Sequence, residues 1–127
     1  MILSPQAVAF LAEDYSGIFS TLRPDGSPHA APVRFTWDPA ARLARVMTVA
    51  SRRKARNVRA RPGGRVSVCQ VDGGRWLTLE GPAAVSDEPG RVAAGVRAYT
   101  RRYRSRPPDL PGLIVIEIAV DRAMGLY

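Results

Sequence analysis

Over most of the chain apolar and polar residues alternate, and in only three stretches do apolar residues recur at helical spacing. The first covers about residues 5–14: Ser4 is placed to cap it, Pro5 suits its first turn, and Ala7, Val8, Leu11 and Tyr15 share one side. The second covers residues 51–61, with Ser51 as its expected cap and Pro62-Gly63-Gly64 as its stop. The third starts at Ser86-Asp87-Glu88-Pro89, carries Val92, Val96, Tyr99 and Tyr103 on one face, and stops at Pro107-Pro108. The arginines at 97, 101, 102, 104 and 106 fall mostly off that face or beyond the helix. Between these helices, strands are predicted over residues 18–22, 28–37, 43–49, 66–71, 76–85 and 113–120. Turns at Pro24-Asp25-Gly26, Asp38-Pro39 and Asp72-Gly73-Gly74 join them. Pro28 and Pro32 each remove a ladder donor, so their strand belongs at a sheet edge or carries a bulge.

The resulting order is helix, three strands, short helix, two strands, helix, strand. Strands that come in hairpin runs argue for an antiparallel sheet closed into a barrel rather than a parallel doubly wound one. The expected fold class is mainly β with a few α helices, in a single domain over residues 1–127. No apolar run approaches the roughly 18–20 residues that span a bilayer, and the first residues lack the basic start and long apolar segment of a signal peptide. The lone Cys69 cannot form an intrachain disulfide, which fits a cytoplasmic location.

Charge changes the picture more than composition does. The net charge of +8 rests on 18 Arg and one Lys, and that Lys54 stands where a compact ammonium suits a site. With one His and one Cys, no Cys/His metal site can be assembled in one chain, and the common nucleophile-elbow, dinucleotide and Walker motifs are missing. His29 reads as a strand-end residue and Cys69 as a small packing residue. An enzyme built this way needs a cofactor for its chemistry.

Ser51-Arg52-Arg53-Lys54-Ala55-Arg56-Asn57 puts three cations in a first helical turn, where the helix dipole disfavours each by about 0.3–1 kcal/mol. A bound phosphate would reverse that sign, whereas a solvated basic helix continuing through Arg56, Arg59 and Arg61 would make a patch for any polyanion. Both readings stand at this point. Trp76 in Gly74-Arg75-Trp76-Leu77 serves either packing or the cover of a planar ring, and Arg34 beside Pro32 and Val33 is placed to approach the same region. Aromatic residues at 7% give no stacking platform for nucleic acid.

The ordered set formed by Arg45 to Asn57, Arg65-Val66-Ser67-Val68 and Val71 to Gly81 resembles the pyridoxamine 5'-phosphate oxidase-like split β-barrel superfamily. Within it, the set resembles the F420-dependent flavin/deazaflavin oxidoreductase B branch. Thr21 to His29, Tyr99 to Arg104 and the Ile114-Val115-Ile116-Glu117 strand extend the likeness over nearly the whole chain. The resemblance implies an FMN-binding-like split barrel that forms a homodimer with cofactor at the subunit interface. It implies coenzyme F420, with FMN as the alternative, and hydride transfer to a conjugated small-molecule acceptor such as biliverdin. A non-catalytic flavin- or tetrapyrrole-binding protein is the other outcome it allows. It places the cofactor phosphate against Arg52, Arg53 and Lys54 with Asn57 one turn on, the ring along Pro32 and Val33 near Thr48, and Trp76 as a contribution from the other subunit. No nucleic acid, membrane or metal partner is expected, and no catalytic side chain is singled out.

Overall fold

A computed structural model describes residues 1–127. Its elements run α1 (Pro5–Ala12), β1 (Gly17–Leu22), β2 (Pro28–Val33), β3 (Phe35–Asp38), β4 (Leu43–Val49), α2 (Arg53–Ala60), β5 (Arg65–Asp72), β6 (Arg75–Ser86), α3 (Pro89–Tyr103), β7 (Leu113–Ala119) and β8 (Arg122–Leu126). All strand pairs are antiparallel, in the order β2-β1-β5-β6-β7-β4-β3 with β8 added on β6. The two ends of that path, β2 and β3, are consecutive in the chain and separated by Arg34 alone, so the barrel is split there.

The twelve-residue β6 belongs to both halves of the sheet. Its first part pairs with β5 and β8, and its last residues, Ala83 to Ser86, pair with β7. Gly81 sits at the change of partner, where a Cβ would overlap the Ala119 carbonyl. One core of 19 buried residues fills the inside, with Phe19, Phe35, Val46, Val68, Leu77, Leu79, Ile116 and Ile118 almost free of solvent. These are the inward positions of alternating strands. Helix α3 lies close against β4 and β7 because it presents Gly95 to Met47 and Val115. That contact fixes where the tyrosines one and two turns later stand.

Several expectations need correction. The strand expected over residues 28–37 is two strands, because the chain crosses the split at Arg34. The strand Arg122–Leu126 was not anticipated: it is short and mostly exposed, and takes its order from pairing with β6 rather than from its own pattern. Ser51 does not cap α2. Arg52 occupies the cap position without a side-chain bond. Arg102, expected off the packed face of α3, is half-buried and bonded to the protein interior. The proline-bearing strand β2 does lie at an edge of the sheet.

Candidate functional site

At the split, the side chain of Arg34 is held by α3. Its Nη1 donates to the Tyr99 hydroxyl at 3.2 Å, and its guanidinium lies 4.9 Å from the centre of the Tyr103 ring. Tyr103 is fixed in turn: its hydroxyl accepts from Phe35 N at 3.0 Å and lies 2.8 Å from Phe35 O and 3.1 Å from Tyr15 O. Burial pushes the Tyr103 phenol above its ordinary pKa, so it stays a neutral anchor.

Beside this contact opens a cavity of about 220 Å³. Pro32 and Val33 at the end of β2, Met47, Thr48 and Val49 at the end of β4, and Arg52 and Lys54 at the start of α2 form much of its wall. Tyr99 and the stretch after α3, through Pro107, Pro108 and Leu110, close the other side. Because β2 ends the sheet path, one edge of its backbone is unpaired next to the cavity, and Pro28 and Pro32 keep that edge from recruiting another strand.

Three cations, Arg34, Arg52 and Lys54, and no carboxylate line this space. The ion pairs of the chain all lie elsewhere. Helix α2 has neither a side-chain cap nor an acidic residue in its first turn. The Lys54 ammonium therefore faces partial burial and the neighbouring Arg52 charge with no counter-ion, and burial first, then that charge, lowers its pKa below the ordinary lysine value. A positive helix end, an ammonium and a guanidinium without an anion form a receptor for a phosphate or carboxylate next to an apolar bed.

Of the residues singled out from the sequence, Pro32, Val33, Thr48, Arg52 and Lys54 meet in this cavity. Arg53 and Asn57, four apart on α2, share a different face. Asn57 is buried and its Nδ2 donates to Thr21 Oγ1 at 3.0 Å, tying α2 to β1. Trp76 stands at the start of β6 on the outer surface of the sheet, between Val71 and Leu126. Neither Asn57, Arg53 nor Trp76 lines the cavity of this chain. Tyr99 does, and the sequence had offered it only as a helix-face packing residue; its hydroxyl, aimed at Arg34, had no signature in the local pattern.

The outer surface of β2, β1, β5, β6 and β8 is apolar where it adjoins the cavity. Pairing aligns Pro32, Ile18, Cys69, Thr78 and Met124 in one row and Val71, Trp76 and Leu126 in the next. Val71 is 52% exposed and Leu126 68%. Pro32 belongs both to this surface and to the cavity wall.

Comparison with known proteins gives the family and the fold. The family described as pyridoxamine 5'-phosphate oxidase matches residues 3–127. The F420H(2)-dependent biliverdin reductase of Mycobacterium tuberculosis (strain CDC 1551 / Oshkosh) is 43% identical over 123 residues, covering 97% of this chain and 88% of that protein. Among solved structures, a conserved hypothetical protein of Mycobacterium tuberculosis superposes with a TM-score of 0.79 at 23% identity, covering 98% of this chain and 85% of that one. A protein described as an F420 reductase superposes with a TM-score of 0.75 at 23% identity, covering 98% of both chains. The two structural likenesses establish the fold.

Proposed function

Because the chain belongs to the pyridoxamine 5'-phosphate oxidase family, we propose that it is an oxidoreductase that holds coenzyme F420 in the cavity at the split and reduces a conjugated small-molecule acceptor such as biliverdin. The observation that carries this reading is the set of unneutralised cations at the start of α2, set against the apolar end of β2. A relative 43% identical to this chain is named for that coenzyme and that substrate, which supports the choice over FMN. When bound, the reduced coenzyme supplies the hydride. The chain's own residues bind and orient. Arg52 and Lys54 take the anionic tail, Pro32, Val33 and Thr48 lie along the ring, and Asn57 holds α2 in place through Thr21, while Arg53, on the other face of α2, adds only its charge to the same helix start. Arg34, steadied by Tyr99 and Tyr103, keeps a positive charge at the mouth where negative charge would build on an acceptor.

The volume supports a second chain at the site. A cavity of about 220 Å³ is smaller than the roughly 300–1,000 Å³ of sites that enclose a ligand of this size. The apolar rows that begin at Pro32 offer a self-complementary surface for a two-fold homodimer. There Trp76 reaches the ring held by the other subunit, and residues 1–127 act as one split-barrel domain in the cytoplasm. No helix is long and apolar enough to cross a membrane.

Titration of F420 and FMN, each followed by ring fluorescence, tests the coenzyme. F420 should bind at least tenfold more tightly, and reduced F420 should then be oxidised by biliverdin. FMN preference, or binding of neither, would overturn the assignment; F420 binding without turnover of any conjugated acceptor would leave a carrier instead of an enzyme. The dimer has a separate test. Val71→Glu/Leu126→Glu places two charges on exposed positions that the fold does not need, so the chain should stay folded but scatter light as a 13.8 kDa species. A parent protein already monomeric at micromolar concentration would remove the interface.

A further inference from the structure

The cavity at the split holds few groups able to give up a proton. Its wall carries no carboxylate, histidine or cysteine, and its charged side chains are Arg34, Arg52 and Lys54. Arginine keeps its proton in folded proteins, and the Tyr99 hydroxyl bonded to Arg34 raises the pKa of that guanidinium further. Threonine, here Thr48, is not among the side chains that serve as general acids. Lys54 belongs to the start of α2, where the anionic tail takes its charge. Tyr99 remains.

Tyr99 stands on α3, 8% exposed, with its ring centre 5.1 Å from that of Tyr103. Its hydroxyl oxygen accepts from Arg34 Nη1 at 3.2 Å, and both residues line the cavity. The hydroxyl hydrogen has no acceptor in the chain. In this it differs from Tyr103, whose hydroxyl faces two backbone carbonyls. A phenol so placed can give its hydrogen to a ligand, with a fixed positive charge beside the oxygen left behind.

We propose that Tyr99 is the proton donor of the reduction assigned above, with Arg34 stabilising the phenolate that it becomes. The assignment rests on that reading of the cavity. Hydride added to one carbon of a conjugated acceptor pushes an electron pair onto a nitrogen or oxygen at the far end of its π system. There the Tyr99 O–H bond breaks, and its proton forms the new N–H or O–H bond. Hydride and proton are the two hydrogens that the acceptor gains. The phenolate takes a proton back from water, and water also receives the proton given up by the oxidised coenzyme. The acceptor class follows: a conjugated system that carries an imine nitrogen or a carbonyl oxygen.

The test is Tyr99→Phe, which removes one oxygen and leaves both the tyrosine-type ring packing and the seat of Arg34 on the Tyr103 ring. Binding and turnover are read separately. F420 affinity, by ring fluorescence, should stay within about threefold of the parent, while biliverdin reduction at saturating reduced F420 should fall about 10²-fold. A second readout involves no turnover: biliverdin is titrated onto the chain loaded with oxidised F420. There the variant should bind it about three- to tenfold more weakly, with a shifted visible absorption band, because a donor to the acceptor is gone. Turnover within about threefold of the parent, or unchanged biliverdin affinity and band, would sink the assignment and leave the coenzyme reading standing. Turnover lost only in proportion to F420 affinity would also sink it, by making Tyr99 part of the coenzyme seat. A parent protein that neither binds F420 nor reduces biliverdin removes both readings together.

Discussion

Arg52→Ala/Lys54→Ala is expected to bind F420 about 10²–10³-fold more weakly than the parent, because two charge-assisted contacts worth about 3–4 kcal/mol together are removed. The fold should not suffer. Neither side chain has a partner within the chain, both stand at the positive end of α2, and Lys54 is already destabilised by burial and by Arg52. Ligand-free thermal stability should therefore be unchanged or slightly higher, which separates loss of a receptor from loss of structure. An affinity within threefold of the parent would place the anionic tail elsewhere.

The lowered pKa of Lys54 adds a pH signature to the same experiment. In the free protein the folded state disfavours the protonated amine, so the penalty is fully present below the lowered value. Stability then rises as pH climbs from that value toward the ordinary lysine pKa. A bound phosphate favours the ammonium and moves the pKa back up. Affinity should thus be greatest below the lowered value and decline across the window between the free and bound values. Within that window binding should take up a proton, visible by calorimetry in buffers of different ionisation heat. Lys54→Ala should abolish the uptake, and uptake that persists in it would assign the proton to another group.

Much of the barrel could be read from the chain because its strands bury one face. The predicted strand at residues 43–49 matches β4 residue for residue, and two prolines were enough to put β2 at an edge. What could not be read was decided by partners distant in sequence. β8 is a strand because β6 offers it an edge, and its own residues, Arg122 to Leu126, lack a buried row. The break at Arg34 comes from barrel closure, which no local window contains. The cationic turn was legible from its composition, since a helix start with three cations and no acid is locally inconsistent. The partition of that turn was not: Arg52 and Lys54 reach the cavity while Asn57 points to Thr21, and only the docking of α2 on β1 determines which face is which.

Arg102→Ala should be the most destabilising single substitution on the surface of α3, by about 3–4 kcal/mol, with Tm lowered by about 10–15 °C. From its position on the helix Arg102 resembles its neighbours at 97, 101 and 104, yet its guanidinium joins four segments. It donates to Glu13 O and Tyr15 O after α1, to Phe35 O at the start of β3 at 2.6 Å, and to Gln70 Oε1 on β5 at 2.6 Å. Gln70, fully buried, passes the link on by donating to Phe10 O at 2.8 Å. The same guanidinium lies 4.7 Å from the Phe35 ring centre and 5.0 Å from that of Tyr103. Truncation takes a charged donor from four acceptors: Gln70 Oε1 is left with none, Phe35 O and Tyr15 O are left to share the single hydrogen of the Tyr103 hydroxyl, and Glu13 O keeps only Tyr15 N, so part of their desolvation cost is no longer offset. Lysine cannot substitute, since one ammonium cannot span acceptors arranged around a planar fork, and Arg102→Lys should recover less than half of the loss. Arg97→Ala, at an exposed and unpaired position on the same helix, should stay within about 0.5 kcal/mol of the parent and serves as the control. Should Arg102→Ala behave like that control in chemical denaturation, water would have to satisfy those carbonyls, and the junction of α1, β3, β5 and α3 would not rest on this side chain. Because Phe35 anchors the Tyr103 ring on which Arg34 rests, the destabilised variant should lose coenzyme affinity well below its melting temperature, linking Arg34 to the junction at the C-terminal end of α3 through one half-buried cation.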